Sequence, residues 1–396
     1  MVKEMKKNIG ILEYHYHTKY LYTVAKIVKT KNTNVTIFTT PDLFTKLKTY
    51  IKNLDDYEIV LKEKNESLNL FLKRVQKICS EKIDLLFVNT IQETILDLPR
   101  FMNFKPDCKM ILTIHSVNSW FSMKPEVNFK KIFRTVDTNI SKIIGRFFVL
   151  PKFNAINVIY SPIKDYLEEK MDYKRPVFTI PFGFYDEEKG KKPKKNNNKE
   201  ILFVVPGQIE EHRRDYESLV SAFEKIFQEN KDKTKLILLG YPVGTYGRKI
   251  LKRCGELKEK GYNIAYYDSF VPEEEYNNVM KTVDFLILPI NILSSGLGVT
   301  KEYYGQTKGS AAVFEAIQYA KPMIVPNEFN TIKEMDSSNI KYSNTEELIE
   351  RISNVIKNRE LLVNYKKNAL EDADNFSLKV LKKYFTDEIL NKIDEI

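Results

Sequence analysis

Residues 308–326 read KGSAAVFEAIQYAKPMIVP. Gly309 and Ser310 form a turn ahead of Ala311, Ala312, Val313, Phe314, Glu315, Ala316 and Ile317, a run of good helix formers, and Met323–Pro326 then reads as a strand. A turn that opens directly into a helix leaves backbone N–H groups unpaired at the positive end of the helix dipole, and such an end binds phosphate. The small Ala311 and Ala312 permit close approach, and Glu315 is placed to accept hydrogen bonds from a vicinal diol such as a ribose. Glu315 follows Ser310 by five residues rather than three, so a reciprocal capping box does not account for it. An ordinary helix between two strands, with Ser310 as N-cap, reads the same residues, and the rest of the chain must decide.

Working outward, apolar runs rich in β-branched residues alternate with helical patterns almost throughout, the pattern of parallel α/β architecture. Strands are expected at Ile9–Glu13, Val35–Thr39, Leu85–Asn89, Met110–His115 and Val158–Tyr160, then at Ile201–Val205, Lys235–Leu239, Ile264–Tyr267, Phe285–Pro289 and Met323–Pro326. Between them, Tyr216–Phe227 sets Leu219, Val220, Phe223, Ile226 and Phe227 on one helical face, as a helix covering a sheet requires. The two series meet at a Pro-, Gly-, Lys- and Asn-rich stretch that no packed element tolerates. The expected organisation is a first domain over 1–185, a basic linker over 186–200, a second domain over 201–375 and a final segment over 376–396 that packs on the second domain or crosses back to the first. In open α/β sheets, ligands sit beyond the carboxyl ends of strands. His115, Ser161, Gly207, Gly240 and the residues after Pro289 all fall at such ends.

Composition excludes several classes. At 396 residues, with 43% hydrophobic and 29% charged, the chain has the balance of a globular protein with two ordinary cores. No apolar run is long enough for a membrane span, and the N-terminus lacks a signal-peptide core, so a cytoplasmic protein is expected. Three cysteines, far apart, support neither a disulfide framework nor a thiolate metal site. Of the net charge of +10, six lysines lie within 189–199, which leaves 10 − 6 = +4 elsewhere. That run reads first as a solvated linker, and peripheral contact with anionic lipid at the inner face of a membrane is the alternative reading. It is short and has no interleaved aromatics, which argues against nucleic acid. No G-x-x-x-x-G-K-[ST] occurs.

The ordered segments IPFGF, the lysine linker, ILFVVPGQIEEHRRDYESLVSAF, KLILLG, FVPEEEYNNVMKTVDFLILP and KGSAAVFEAIQYAKPMIVP resemble the donor-binding half of family 4 GT-B glycosyltransferases, over residues 175–330. ILTIHS and VIYSPIKDYL resemble the first domain of that family more loosely. The resemblance implies an α/β GT-B fold, two Rossmann-like domains with parallel sheets facing across a cleft. It implies transfer of a sugar from a nucleotide-diphosphate sugar to a glycan or lipid-linked acceptor, without metal or cofactor and with a retaining outcome.

Residue by residue, it places Gly207, Arg213 and the adjacent Arg214 at the donor diphosphate, where a planar guanidinium binds phosphate oxygens bidentately. Glu315 matches the second glutamate of the family's E-x7-E motif and implies a ribose contact. Thr307 stands where the first glutamate is expected, a departure that leaves the retaining outcome and the sugar contact open, with Thr307 or Lys308 as substitutes. Gly309 and Ser310 complete the donor set. His115 resembles the family's histidine near the reacting sugar, and a satisfied structural histidine is the competing reading. His15 and His17 in EYHYH lie on the acceptor side, with Tyr14 and Tyr16 as stacking surfaces or as an aromatic strand exit. Residues 291–307, long for a strand-to-helix connection, read as a lid with Gly296, Gly298 and Gly305 giving mobility and Tyr303 or Tyr304 facing the sugar. Asp372 and Asp374 form a literal D-x-D in a helical stretch and read as surface. Two rivals remain: a nucleotide-sugar epimerase or hydrolase on the same scaffold, and a binding protein that has lost turnover.

Overall fold

The computed structural model describes residues 6–51, 53–171, 173–187, 200–294 and 299–396. The lysine run 189–199, Gly296 and Gly298, all named above, lie outside the described residues.

Strands β1 (Lys7–Glu13), β2 (Thr33–Thr39), β3 (Glu58–Leu61), β4 (Leu85–Val88), β5 (Lys109–Ile114), β6 (Ala155–Val158) and β7 (Val177–Thr179) form one parallel sheet in the order 3-2-1-4-5-6-7. Strands β8 (Ile201–Pro206), β9 (Thr234–Leu239), β10 (Ile264–Tyr266), β11 (Phe285–Ile287), β14 (Met323–Pro326) and β15 (Asn339–Tyr342) form a second, in the order 10-9-8-11-14-15. Each order reverses direction beside its first strand, between β1 and β4 and between β8 and β11, and the crevice for a ligand opens at those points. Central strands such as β4, LLFV, are buried on both faces, as helices on both sides of a parallel sheet demand.

Several expectations are refined. The strand expected at Val158–Tyr160 lies at Ala155–Val158, because Tyr160 leads into the helix Ser161–Asp165. The strands β3, β7 and β15 were not expected. They are short sheet-edge strands whose exposed or half-buried residues blur the apolar run. Within 291–307, Leu293–Ser294 (β12) pairs antiparallel with Glu302–Tyr303 (β13), so the long connection contains a small hairpin.

One buried apolar cluster fills the first domain and continues through Tyr304, Val313 and Phe314 to Val204, Leu239 and Leu286 on one face of the second sheet. Phe203 and Val205, the alternate residues of β8, join Phe223 and Phe227 on the other face. The chain ends on the first domain. Helix Leu378–Tyr384 continues through Phe385–Leu390, and the fully buried Phe385 ring lies 6.2 Å from that of Phe87 in β4. The Tyr384 hydroxyl accepts from the Thr179 amide at 3.2 Å. Among the described residues, no helix is long and apolar enough to cross a membrane.

Candidate functional site

The strand ends of both sheets converge on a cavity of about 530 Å³. The first domain lines it with Tyr16, His17, His115, Ser116, Ile159 and Phe182, and the second with residues of the loops after β8 and β11 and the start of helix Ala311–Tyr319.

On the first-domain side, two imidazoles pack with centroids 4.3 Å apart. The Thr90 hydroxyl donates to the Glu13 carboxylate at 2.6 Å, so its oxygen is left to accept from Nδ1–H of His17 at 2.9 Å. This order leaves His17 Nε2 as the unprotonated nitrogen. Glu13 also accepts from the His15 amide at 2.8 Å, and burial raises its pKa. Nε2–H of His115 donates to the Asn89 carbonyl at 2.9 Å, leaving Nδ1 as its acceptor. Burial, with His115 and His15 as neighbours, pushes the His17 pKa far below its usual value, and burial takes His115 down to about 4. Both rings are neutral at physiological pH and present acceptor nitrogens rather than charge.

On the second-domain side, β8 is followed by Gly207 with φ +96°, a conformation glycine adopts without a Cβ clash. A Cβ on Gly240, at the end of β9, would sit 2.0 Å from the Gly207 carbonyl oxygen, so the two strand ends touch backbone to backbone. The Arg214 guanidinium lies over Gly207, donating to the Pro206 carbonyl and, at 3.3 Å, to the Tyr216 hydroxyl. Arg213 Nε pairs with Glu210 at 3.1 Å. Among the described residues, Lys308 completes three cations around the cavity against one carboxylate, that of Glu210. The Ser310 hydroxyl makes no cap hydrogen bond, and Ala311 and Ala312 at the helix start line the cavity.

What places that helix end is a contact from the first domain. The Tyr160 hydroxyl donates to the Ser310 carbonyl at 2.7 Å and accepts from the Ser310 amide at 3.1 Å. A Cβ at Gly309 would meet Ile159 at 2.7 Å, so glycine permits this approach. The β12–β13 hairpin ties the domains again. Glu302 accepts from the Ser119 amide at 3.0 Å and the Asn118 amide at 3.3 Å, at the start of helix Val117–Phe121 in the first domain. Burial raises its pKa to about 7 against the hydrogen bonds that favour its ionised form.

Of the residues singled out in the sequence, Gly207, Arg213, Arg214, Lys308, Gly309, Ser310, His17 and His115 all line the cavity. Thr307, His15 and Glu315 do not. Thr307 is wholly buried, its hydroxyl accepting from the Tyr303 amide at 2.8 Å and its carbonyl from the Val117 amide at 2.9 Å, which closes the hairpin and ties it to the first domain. His15 is held by Asp97 at 2.8 Å in a network with Tyr14 and Arg100. Tyr14 is therefore no stacking surface, whereas Tyr16 lines the cavity. Glu315 accepts from the Tyr276 hydroxyl and faces Lys19 at 3.8 Å. Tyr304, not Tyr303, faces inward. Ser161 is displaced by one residue from the role that Tyr160 plays, and its hydroxyl is buried without a partner. Asp372 lies in helix Arg359–Asp374 and accepts from Ser337.

Glu13, Thr90, Tyr160 and Glu302 are missed from sequence alone. An acid ending the apolar strand ILE was the available signal for Glu13. The others act through partners 77 to 184 positions away, which no local pattern records.

No family model matches the chain, and no curated protein does. Solved structures match over nearly its whole length. Anabaena HepE in complex with UDP-glucose aligns with a TM-score of 0.63 at 13% identity, over 97% of this chain and 99% of that one. The E. coli trehalose-6-phosphate structure bound with UDP-2-fluoro glucose aligns with a TM-score of 0.62 at 9% identity, over 98% and 99%. A putative UDP-N-acetylglucosamine 2-epimerase from Listeria monocytogenes aligns with a TM-score of 0.54 at 11% identity, over 99% and 97%. At such identities the likeness shows architecture, and the chain has the GT-B fold: two Rossmann-like domains whose parallel sheets face across a cleft.

Proposed function

We propose that this protein is a glycosyltransferase of the family 4 type, moving a sugar from a nucleotide-diphosphate sugar to a glycan or lipid-linked acceptor. One observation carries the reading. Arg213, Arg214, Lys308 and the start of helix Ala311–Tyr319 line the same cavity as two neutral imidazoles. In the proposed reaction the cations and the helix end offset the charge that develops on the departing diphosphate, electrostatic catalysis by preorganised groups that needs neither metal nor cofactor. His115, with Nδ1 as acceptor, is proposed to hold a hydroxyl of the donor sugar, and His17 faces the acceptor side. Glu315 lies one helical turn beyond the cavity-lining Ala311, on the same face, and is proposed to receive the ribose diol. UDP is the favoured nucleotide because two of the matched structures hold UDP-sugars.

A second reading, epimerisation of a nucleotide sugar, is favoured by the matches to UDP-N-acetylglucosamine 2-epimerase structures. Thermal shift with UDP, other nucleoside diphosphates and their sugars tests the donor site, since a ligand bound only by the folded state raises the Tm. Stabilisation by one diphosphate, lost in Arg213→Ala and Glu315→Ala and unchanged by EDTA, is expected. No shift with any nucleotide at millimolar concentration refutes the donor site. Turnover of the sugar nucleotide without acceptor, followed by NMR, would replace transfer by epimerisation or hydrolysis, and the anomeric signal of a transfer product reads the retaining outcome.

A further inference from the structure

Nearly half of the exposed large apolar side chains among the described residues fall between residues 123 and 148. They belong to an arm inserted between β5 and β6, whose main element is the helix Ile132–Ile144, preceded by the turn Phe129–Lys131 and continued through Gly145–Val149. The helix is inside out. Its buried residues are Thr135, Ser141 and Lys142, and its outward stripe is Phe129, Phe133, Val136, Ile140, Ile143 and Phe147, spaced by three and four. Phe129 is 86% exposed and Phe133 88% exposed.

The polar inner face is satisfied where it stands. Thr135 donates to the Lys131 carbonyl at 3.0 Å, and Lys142 pairs with Glu126 at 2.7 Å. The helix thus gains nothing by turning over, and its apolar side needs a partner that the described residues do not supply.

Charge identifies that partner. Between residues 117 and 150 every exposed charged residue is positive: Lys124, Lys130, Lys131 and Arg134. The two acids, Glu126 and Asp137, are turned to Lys142 and to the Ile95 amide at 2.8 Å. Protruding phenylalanines among lysines fit an interface with apolar chains below and anionic headgroups above. A second copy of the chain fits less well, since a two-fold contact through this stripe brings Lys130, Lys131 and Arg134 of each copy towards their equivalents.

We infer that the outward face of the arm, Phe129 to Phe147, docks on an anionic lipid bilayer. The arm begins at Val117, directly after the cavity-lining Ser116, so the docking face belongs to the same stretch of chain as one wall of the cleft. The docking itself does not depend on the proposed reaction. If that reaction holds, the lipid-linked class of acceptor is the one this face delivers.

The test is co-sedimentation of the full chain with vesicles of phosphatidylcholine alone and of phosphatidylcholine with phosphatidylglycerol. Binding to the anionic vesicles is expected, reduced at least tenfold in Phe129→Ser/Phe133→Ser and in Lys130→Gln/Lys131→Gln. Both pairs are solvent-facing, so an unchanged Tm shows that the fold is kept. Absence of binding to either vesicle overturns the inference. So does binding that survives in both variants and vanishes on deletion of 189–199. A wild-type dimer that Phe133→Ser converts to monomer, without lipid binding, assigns the face to a second copy and overturns it equally.

Discussion

Replacing Glu302 by glutamine should remove one contribution to the pH dependence of the protein's stability, by an amount that follows from where this carboxyl sits. Glu302 is 3% exposed, reaching from β13 to the start of helix Val117–Phe121, and burial raises its pKa from 4.5 to about 7. A carboxyl raised in this way favours the folded state while it is protonated. Its contribution is fully present below the unfolded value of 4.5 and is lost as pH rises to about 7, because across that window the folded chain holds a proton that the unfolded chain has released. At about 1.4 kcal/mol per unit, the loss is about 3 kcal/mol. The wild-type curve alone does not isolate it. His115, lowered to about 4, acts oppositely, its contribution present above its ordinary 6.5 and lost as pH falls to about 4. Glutamine keeps the shape of the neutral carboxyl and still accepts from the Ser119 amide. The difference between wild type and Glu302→Gln, measured as urea unfolding midpoints at half-unit steps from pH 4 to 8, should therefore change by about 3 kcal/mol against the wild type between 4.5 and 7 and be flat outside. A flat difference throughout refutes the burial argument. A change of opposite sign means that the Ser119 and Asn118 amides hold the ionised form more strongly than burial opposes it.

Gly240→Ala forces a Cβ against the Gly207 carbonyl and should cost about 3 kcal/mol and abolish the thermal shift with UDP, both read in one melting series. Tyr160→Phe strands the Ser310 amide, while the Ser310 carbonyl keeps the Val313 amide as donor, and should cost about 1–3 kcal/mol, read by urea unfolding. Phe385→Ala should destabilise the first domain by about 3–5 kcal/mol, visible as faster amide exchange in β4 by mass spectrometry.

The alternation of strands and helices was legible because parallel strands are nearly continuous apolar runs, and β8, β9 and β14 fall at or within one residue of their expected limits. Edge strands such as β3 carry no such run. The cavity-lining residues of the second domain were legible for a local reason: a glycine after a strand, or before a helix, marks its backbone conformation in its own sequence. His15 and His17 differ by two positions and share every local feature. Only the partners across the sheet, Asp97 for one and Thr90 for the other, set one ring in a closed network and the other at the cavity. Glu302 and Tyr160 act between domains, and their roles exist only once the domains have met.

The return of the C-terminal helix to the first sheet bears on the order in which the protein matures on the ribosome. The Tyr384 hydroxyl and its Thr179 partner are 205 residues apart in the chain, and Phe385 follows immediately. At synthesis rates of roughly 5–20 residues per second, the first sheet waits about 10 to 40 seconds with the surface around Phe87 uncovered. During that interval the nascent first domain presents the apolar surface that Phe385 later covers, and it is in this window that a holdase chaperone has most to protect. Helix Leu378–Tyr384 closes a domain whose partner residue was made 205 positions earlier.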